Sequence, residues 1–300
     1  MNDETIPRIS NEHVVYTADK NNKPVLRVKS GDSIIFECKD CFSQQIRKPE
    51  QLPANIDMNH VNPVTGPIYI EGIKPGDTLE VHIEKIKVAD QGVTCVMPGY
   101  GLLHDEFSEP WTKITKVKDG IAHFSDNIKI PIKPFPGVLS VAPSEDPLPI
   151  VIAPHHFDCK VINEGAIVYL PTYVEGALFG VGDLHSVQGD GELSATAIET
   201  DGEIKVKVVV NKLKKVETPH IETDTHYMTT ALGESTDDAA RGALRQMIKW
   251  LMDEKGLTRE EAYTLCSCIA DMKVNQVAGL SMKFCGARIE IPKSIFITHT

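Results

Sequence analysis

A chain of 300 residues, 41% apolar and 24% charged, has the composition of a folded globular protein, long enough for one large β-rich unit or two closely packed regions. Its 31 basic and 42 acidic residues leave a formal charge of −11, which argues against a nucleic-acid partner, since such binding rests on clustered Lys and Arg. No apolar run approaches the roughly 18 residues of a membrane helix, the acidic start Met1-Asn2-Asp3-Glu4 does not read as a secretory leader, and seven scattered cysteines suit reduced thiols, so a cytoplasmic protein with no membrane partner is expected.

Short Val- and Ile-rich segments dominate the first two thirds of the chain, separated by Gly, Pro, Asp and Asn. Residues 33–37, 68–71, 78–86, 167–170, 193–198 and 204–210 are predicted strands. In Thr78-Leu79-Glu80-Val81-His82-Ile83-Glu84 apolar and polar side chains alternate, as on a strand with one buried face. Lys74-Pro75-Gly76-Asp77 has the chemistry of a tight turn, and Ser30-Gly31-Asp32 and Thr200-Asp201-Gly202 are predicted hairpin or loop tips.

Helical spacing is clear in one region only. Ser235 precedes Asp237 and Asp238, and Ala239, Ala240, Leu244, Met247, Ile248 and Leu251 then recur on one face up to Lys255-Gly256. A second helix is predicted from Thr258, with Glu261 completing a capping box and Ala262, Leu265 and Ile269 on its apolar side. Strands at 287–291 and 294–298 close the chain. The pattern predicts an α+β fold, mainly antiparallel β of sandwich or barrel-like form, with a helical hairpin near the C-terminus. An N-terminal β-rich region (1–140) and a C-terminal α+β region (141–300) are expected, packed tightly enough to make one domain.

The densest chemistry lies in Gly182-Asp183-Leu184-His185-Ser186-Val187-Gln188-Gly189-Asp190-Gly191-Glu192. In an extended segment Asp183 and His185 share a face, an economical way to present an imidazole and a carboxylate to one divalent ion. The glycines allow the chain to turn and return Asp190 and Glu192 to the same place. On pattern alone, a metal site and a solvated hairpin turn stand level.

This run, followed by Ala197-x-Glu199, resembles the signature of the acetamidase/formamidase family. Asn62-Pro63-x-Thr65-Gly66-Pro67-Ile68, Glu71-Gly72, Pro75-Gly76-Asp77, Pro134-Phe135-x-Gly137-Val138, Ala177-Leu178-Phe179, Cys268-x-Ala270-Asp271 and Ile291-Pro292-Lys293 are similar to its landmarks in the same order. The resemblance implies a β-rich homodimer or higher homo-oligomer that hydrolyses short amides. It implies a divalent metal at Asp183 and His185, with Asp40 as a further acid facing the site; Zn²⁺ is the first choice, Ca²⁺ or another divalent ion the alternatives. It also implies that Thr65 and Gly66 frame the substrate pocket. Where the family has Gly-Gly-Asn before an apolar residue and Asp, this chain has Pro154-His155-His156-Phe157-Asp158. His156 and Asp158 are therefore expected beside the substrate, with at most one of the adjacent histidines reaching it. Glu192 is the expected proton carrier and Asp190 a ligand or base, with the two roles exchangeable. Two alternatives are a metal-free amidase using a carboxylate or Cys268 as nucleophile, and a relative that binds without turnover. The Cys38-Lys39-Asp40-Cys41 pair lacks the partners of a zinc or redox motif and reads as coincidence.

Overall fold

The computed structural model describes residues 6–279 and 284–297. The chain start 1–5 and Thr298, the last residue of a predicted strand, lie outside them. Two large sheets carry the fold. The first has nine strands in the order Arg8–Ile9, Ser33–Cys38, Gly202–Asn211, Thr78–Val88, Ile167–Pro171, His220–Glu222, His226–Gly233, Phe284–Pro292 and Asp271–Gly279. The second has ten. Its main path runs Ile128–Pro131, Ile121–Ser125, Trp111–Lys118, Gln91–Val96, Ile198–Glu199, Phe179–Val187, Val64–Ile70 and Val14–Val15. Phe135–Ser140 joins it beside Phe179–Val187, and Leu26–Val28 beside Val64–Ile70. Pairing is antiparallel except where Arg8–Ile9 meets Ser33–Cys38 and Leu26–Val28 meets Val64–Ile70. The sheets stay open among the described residues, so the fold is α+β and mainly antiparallel, with no closed barrel. Both draw strands from either side of residue 140, which interleaves the two expected regions.

Alternation on the strands builds the core. Ile34 and Phe36, Val81 and Ile83, and Ile204 and Val206 point inward from the first sheet and meet Ile68, Leu139, Phe179 and Val181 of the second. Phe36 and Phe179 touch edge to face with ring centroids 5.9 Å apart. Each such side chain removed from water contributes about 1.5–3 kcal/mol.

The helices are Thr236–Lys255 (α1) and Arg259–Ile269 (α2). Ser235 caps α1 by accepting from Asp238 N at 3.2 Å, and Gly256 ends it in the left-handed conformation at φ 69°. Thr258 and Glu261 form the capping box of α2. Ala243, Met247, Trp250 and Leu251 of α1 and Ala262 and Cys266 of α2 cover Ile289 and Ile291 of the first sheet, so the hairpin shields one end of that sheet. No described helix is long and apolar enough to cross a membrane.

Two predicted strands differ. Residues 193–198 are mostly loop, with only Ile198–Glu199 paired. Positive φ at Glu192 (42°) and Ala195 (66°) coils the backbone there, and Thr196 Oγ1 holds Cys95 N and O instead. The predicted strand at 294–298 begins as the 3₁₀ turn Lys293–Ile295. Thr200-Asp201-Gly202 is a crossover between the sheets rather than a hairpin tip.

Candidate active site

Phe179–Val187 is the central strand of the site. Phe135–Ser140 lies along one side of it, and Val64–Ile70 and Ile198–Glu199 share the other. In this register His185 sits between Phe135 and Glu199, which brings a carboxylate to the imidazole from fourteen residues downstream. His185 Nε2 lies 2.9 Å from Glu199 Oε2 and 3.4 Å from Asp183 Oδ1. The other oxygen of Asp183, Oδ2, is 3.1 Å from His156 Nε2, which is also 3.0 Å from Asp158 Oδ2. Asp183 thus faces one imidazole with each oxygen. Glu192 completes the group, its carboxylate within 4.8 Å of the ligating atoms of His185 and Glu199.

The segment holding His156 and Asp158 is fixed by a glycine. The Phe157 and Asp158 N–H groups both donate to Gly137 O, at 3.2 and 3.3 Å. A Cβ on Gly137 would lie 2.2 Å from Asp158 Oδ1 and 2.6 Å from Asp183 Oδ2, so only glycine leaves room for both carboxylates. Asp158, Asp183 and Glu192 all hold positive φ, at 37°, 57° and 42°. Each such non-glycine residue costs of order 1–3 kcal/mol, and strain of this kind gathers at functional sites.

Four carboxylates and two imidazoles therefore meet in a cavity of about 90 Å³, all six residues buried. Its remaining wall is largely apolar, including Phe42, Val61, Met97, Val151 and Phe284. Among the described residues, no Lys or Arg lines it. Such an excess of buried negative charge is costly unless protons or a cation neutralise it. The geometry shows the demand directly. Asp158 Oδ1, Asp183 Oδ1 and Glu199 Oε2 are buried and make no aligned hydrogen bond. His156 Nδ1 donates to Val151 O at 3.1 Å, which leaves Nε2 free to ligate toward Asp158 and Asp183, the arrangement common to metal-binding histidines.

The titration behaviour follows from the same contacts. Burial opposes charge on His185, but the carboxylates of Glu199 and Asp183 prevail and raise its pKa well above the ordinary value. His156 is raised in the same way by Asp158 and Asp183, against burial. Burial alone would raise Asp183; the two imidazoles outweigh it and hold the carboxyl below the usual range. Glu192 goes the other way. Burial and then the charge of Asp158 push it well above the ordinary carboxyl range, the direction that suits a group which both takes and returns a proton.

The structure brings together Asp183, His185, Glu192, His156 and Asp158, and leaves out Asp40, Asp190, Thr65 and Gly66. Thr65 Oγ1 donates to Glu37 O at 2.7 Å, and neither Thr65 nor Gly66 lines the cavity, whereas the neighbouring Asn62 does. Asp190 turns away to Arg288 and Lys160. His155 lines a different cavity, beside Tyr173, and burial lowers its pKa to about 4. Cys268 is exposed on α2 and lies off the cavity. Two residues not expected at the site do reach it. Glu199, which ends the Ala197-x-Glu199 motif, faces His185, and Cys41 Sγ lies within 4.8 Å of the Asp183 and Glu199 oxygens. Burial and nearby carboxylates push the Cys41 thiol well up, which disfavours the thiolate a nucleophile needs.

Asp40, next to Cys41, serves a turn instead. Its Oδ1 accepts from Gln44 N at 2.9 Å, and its Oδ2 lies 3.6 Å from Arg47 Nη1. Burial and the charge of Asp201 raise its pKa from 3.8 to about 7. An acid raised on folding stabilises the protein fully below its unfolded pKa, and that contribution is lost as pH rises through the folded value. The variant Asp40→Asn, which keeps the acceptor oxygen, is therefore expected to melt higher than wild type at pH 8 and to lose most of that advantage near pH 4. Thermal denaturation at the two pH values checks this; an equal gap at both would contradict it.

The Acetamidase/Formamidase family model matches residues 19–153 and 149–298, nearly the whole chain. The chain belongs to the acetamidase/formamidase family. Within that family, the structure is similar to an acetamidase from Bacillus halodurans, with a TM-score of 0.93, 40% identity, and coverage of 96% of this chain and 98% of that one. It is also similar to a predicted acetamidase/formamidase from Thermoanaerobacter tengcongensis, at TM-score 0.92 and 37% identity, with 96% of each chain covered. A formamidase of Methylophilus methylotrophus is 26% identical, over 64% of this chain and 63% of its own length. The chain spans little more than three-fifths of the length of the first curated acetamidase/formamidase relatives it matches.

Proposed function

We propose that the chain hydrolyses short-chain amides to a carboxylate and ammonia at the buried cluster, with a divalent metal bound there. The observation that carries this reading is Asp183 with one oxygen toward each imidazole, amid buried carboxylate oxygens that lack hydrogen bonds. His156, Asp158, Asp183, His185 and Glu199 would hold the metal. Imidazole with carboxylate suits Zn²⁺ first, with Ca²⁺ or another divalent ion as alternatives. When bound, such an ion acidifies water and polarises a carbonyl, which addresses the weak nucleophile and the resonance-stabilised amide together.

The chain's own residues supply the remainder. The amide nitrogen leaves badly unless it is protonated. Glu192, buried beside His185 and Glu199, would take a proton from the attacking water and return it to that nitrogen. The apolar wall made by Phe42, Val61, Met97, Val151 and Phe284 excludes bulk water and limits the acyl group to a short one. Family membership supports the same reaction class.

The test is an ammonia-release assay on formamide, acetamide, propionamide and benzamide, before and after dialysis against a chelator. Activity on the small amides, lost on chelation and restored by Zn²⁺, is expected. Undiminished turnover after verified metal removal would overturn the metal-dependent reading.

A further inference from the structure

We propose that Asp190 is a positioning residue, and that its ion pairs with Arg288 and Lys160 hold the Glu192 loop at a fixed distance from the Asp158 loop. The proposal rests on the reading of Glu192 as proton carrier. Asp190 precedes Glu192 by two residues, and Lys160 follows Asp158 by two. Asp190 Oδ1 accepts from Arg288 Nη1 at 2.8 Å, and its Oδ2 lies 2.9 Å from Lys160 Nζ. One carboxylate therefore ties the two loops that carry site acids to each other and to the Phe284–Pro292 strand.

Arg288 is an unusual anchor. It is 1% exposed, and a buried guanidinium is tolerated only when its donors are matched. Here Nη1 also donates to Asn275 Oδ1 at 2.7 Å and Nε to Glu290 Oε1 at 2.5 Å. The neighbouring strand Asp271–Gly279 extends the same strut. Gly191 N donates to Asn275 O at 3.0 Å, and Val277 N donates to Gly191 O at 2.9 Å. Gln188 Nε2 bridges Asp158 O (2.8 Å) and Asn275 O (3.2 Å), and Gln276 Nε2 donates to His156 O at 3.0 Å. Apart from the bonds of Arg288 to Asn275 and Glu290 within the two strands, each of these ties goes to a segment bearing a cluster residue. Of these ties, the Asp190 pair alone sets the loops by charge. An acid at 190 turned into the cavity would add a further negative charge to the cluster; turned outward, it locks the loop instead.

The experiment compares wild type with Asp190→Asn and Arg288→Lys in kinetics and in amide hydrogen exchange. Asp190→Asn keeps the shape and removes the charge. It is expected to lower kcat by about 10- to 100-fold, the range typical of residues that orient a ligand or proton carrier. KM should stay within about twofold and metal content should be unchanged, because Asp190 touches neither substrate nor the cluster. Exchange at Gly191 and Glu192 should accelerate while α1 and α2 keep wild-type protection. Arg288→Lys, which retains a charge, should recover part of kcat relative to Asp190→Asn. Unchanged kcat and unchanged protection at Gly191 and Glu192 would overturn the proposal, as would a rise in KM with kcat intact. Absence of ammonia release in wild type would defeat the hydrolase reading instead, and exchange at Gly191 and Glu192 would still decide whether Asp190 holds the loop.

Discussion

Asp183→Asn is expected to lower the rate of amide hydrolysis by at least about 1,000-fold, equivalent to about 4 kcal/mol of transition-state stabilisation. Asp183 is where the two halves of the cluster join, with Oδ2 3.1 Å from His156 Nε2 and Oδ1 3.4 Å from His185 Nε2. An amide of the same shape has one acceptor end and one donor end. Whichever way it turns, one half of the cluster meets N–H groups where it needs an oxygen. The charge is lost as well, so one of the partners that hold both imidazoles protonated or bound to a cation disappears. Breaking a buried ion pair also costs stability, about 3–5 kcal/mol when the remaining partner is left unmatched. Circular dichroism should therefore accompany the assay, so that activity is compared between folded proteins. A folded variant with activity within tenfold of wild type would remove Asp183 from the centre of the site.

Gly137→Ala tests the same cluster by volume rather than charge. The added methyl would sit 2.2 Å from Asp158 Oδ1 and 2.6 Å from Asp183 Oδ2, closer than any stable contact. The backbone at Gly137 is not in the left-handed region, so the strand itself accepts alanine and the carboxylates must move. Displacement of about 1 Å at reacting groups is enough to cost about 100-fold in rate, and here two acids move together. Loss of about 100-fold or more in kcat is expected, with weakened metal retention and a nearly unchanged far-ultraviolet spectrum. Near-wild-type turnover in this variant would mean that Asp158 and Asp183 need not share the space that Gly137 leaves.

Much of the fold is legible in local chemistry. The caps at Ser235, Gly256 and Thr258 mark both helices because each satisfies a backbone group at a helix end. Strand alternation around residues 78–86 shows which face is buried. The site is legible only in part. Asp183 and His185 lie two residues apart in sequence and stay close in space. Glu199 reaches His185 through antiparallel register, which no local pattern encodes. Asp190 and Glu192 would share a side in an extended chain, but positive φ at Gly191 and Glu192 turns one toward Arg288 and the other into the cavity. Asp40 and Cys41 divide similarly, the acid taken by a turn and the thiol left facing the cluster. Between the adjacent histidines, the ties of His156 to Val151 and Ala153, and of Gln276 to the His156 carbonyl, hold the one that enters.

The most direct measurement is elemental analysis of protein purified without chelator, wild type beside Asp183→Asn. Stoichiometric divalent metal in the wild type, most of it missing from the variant, is the predicted result. Wild-type protein that releases ammonia at full rate while holding only trace metal would contradict the account.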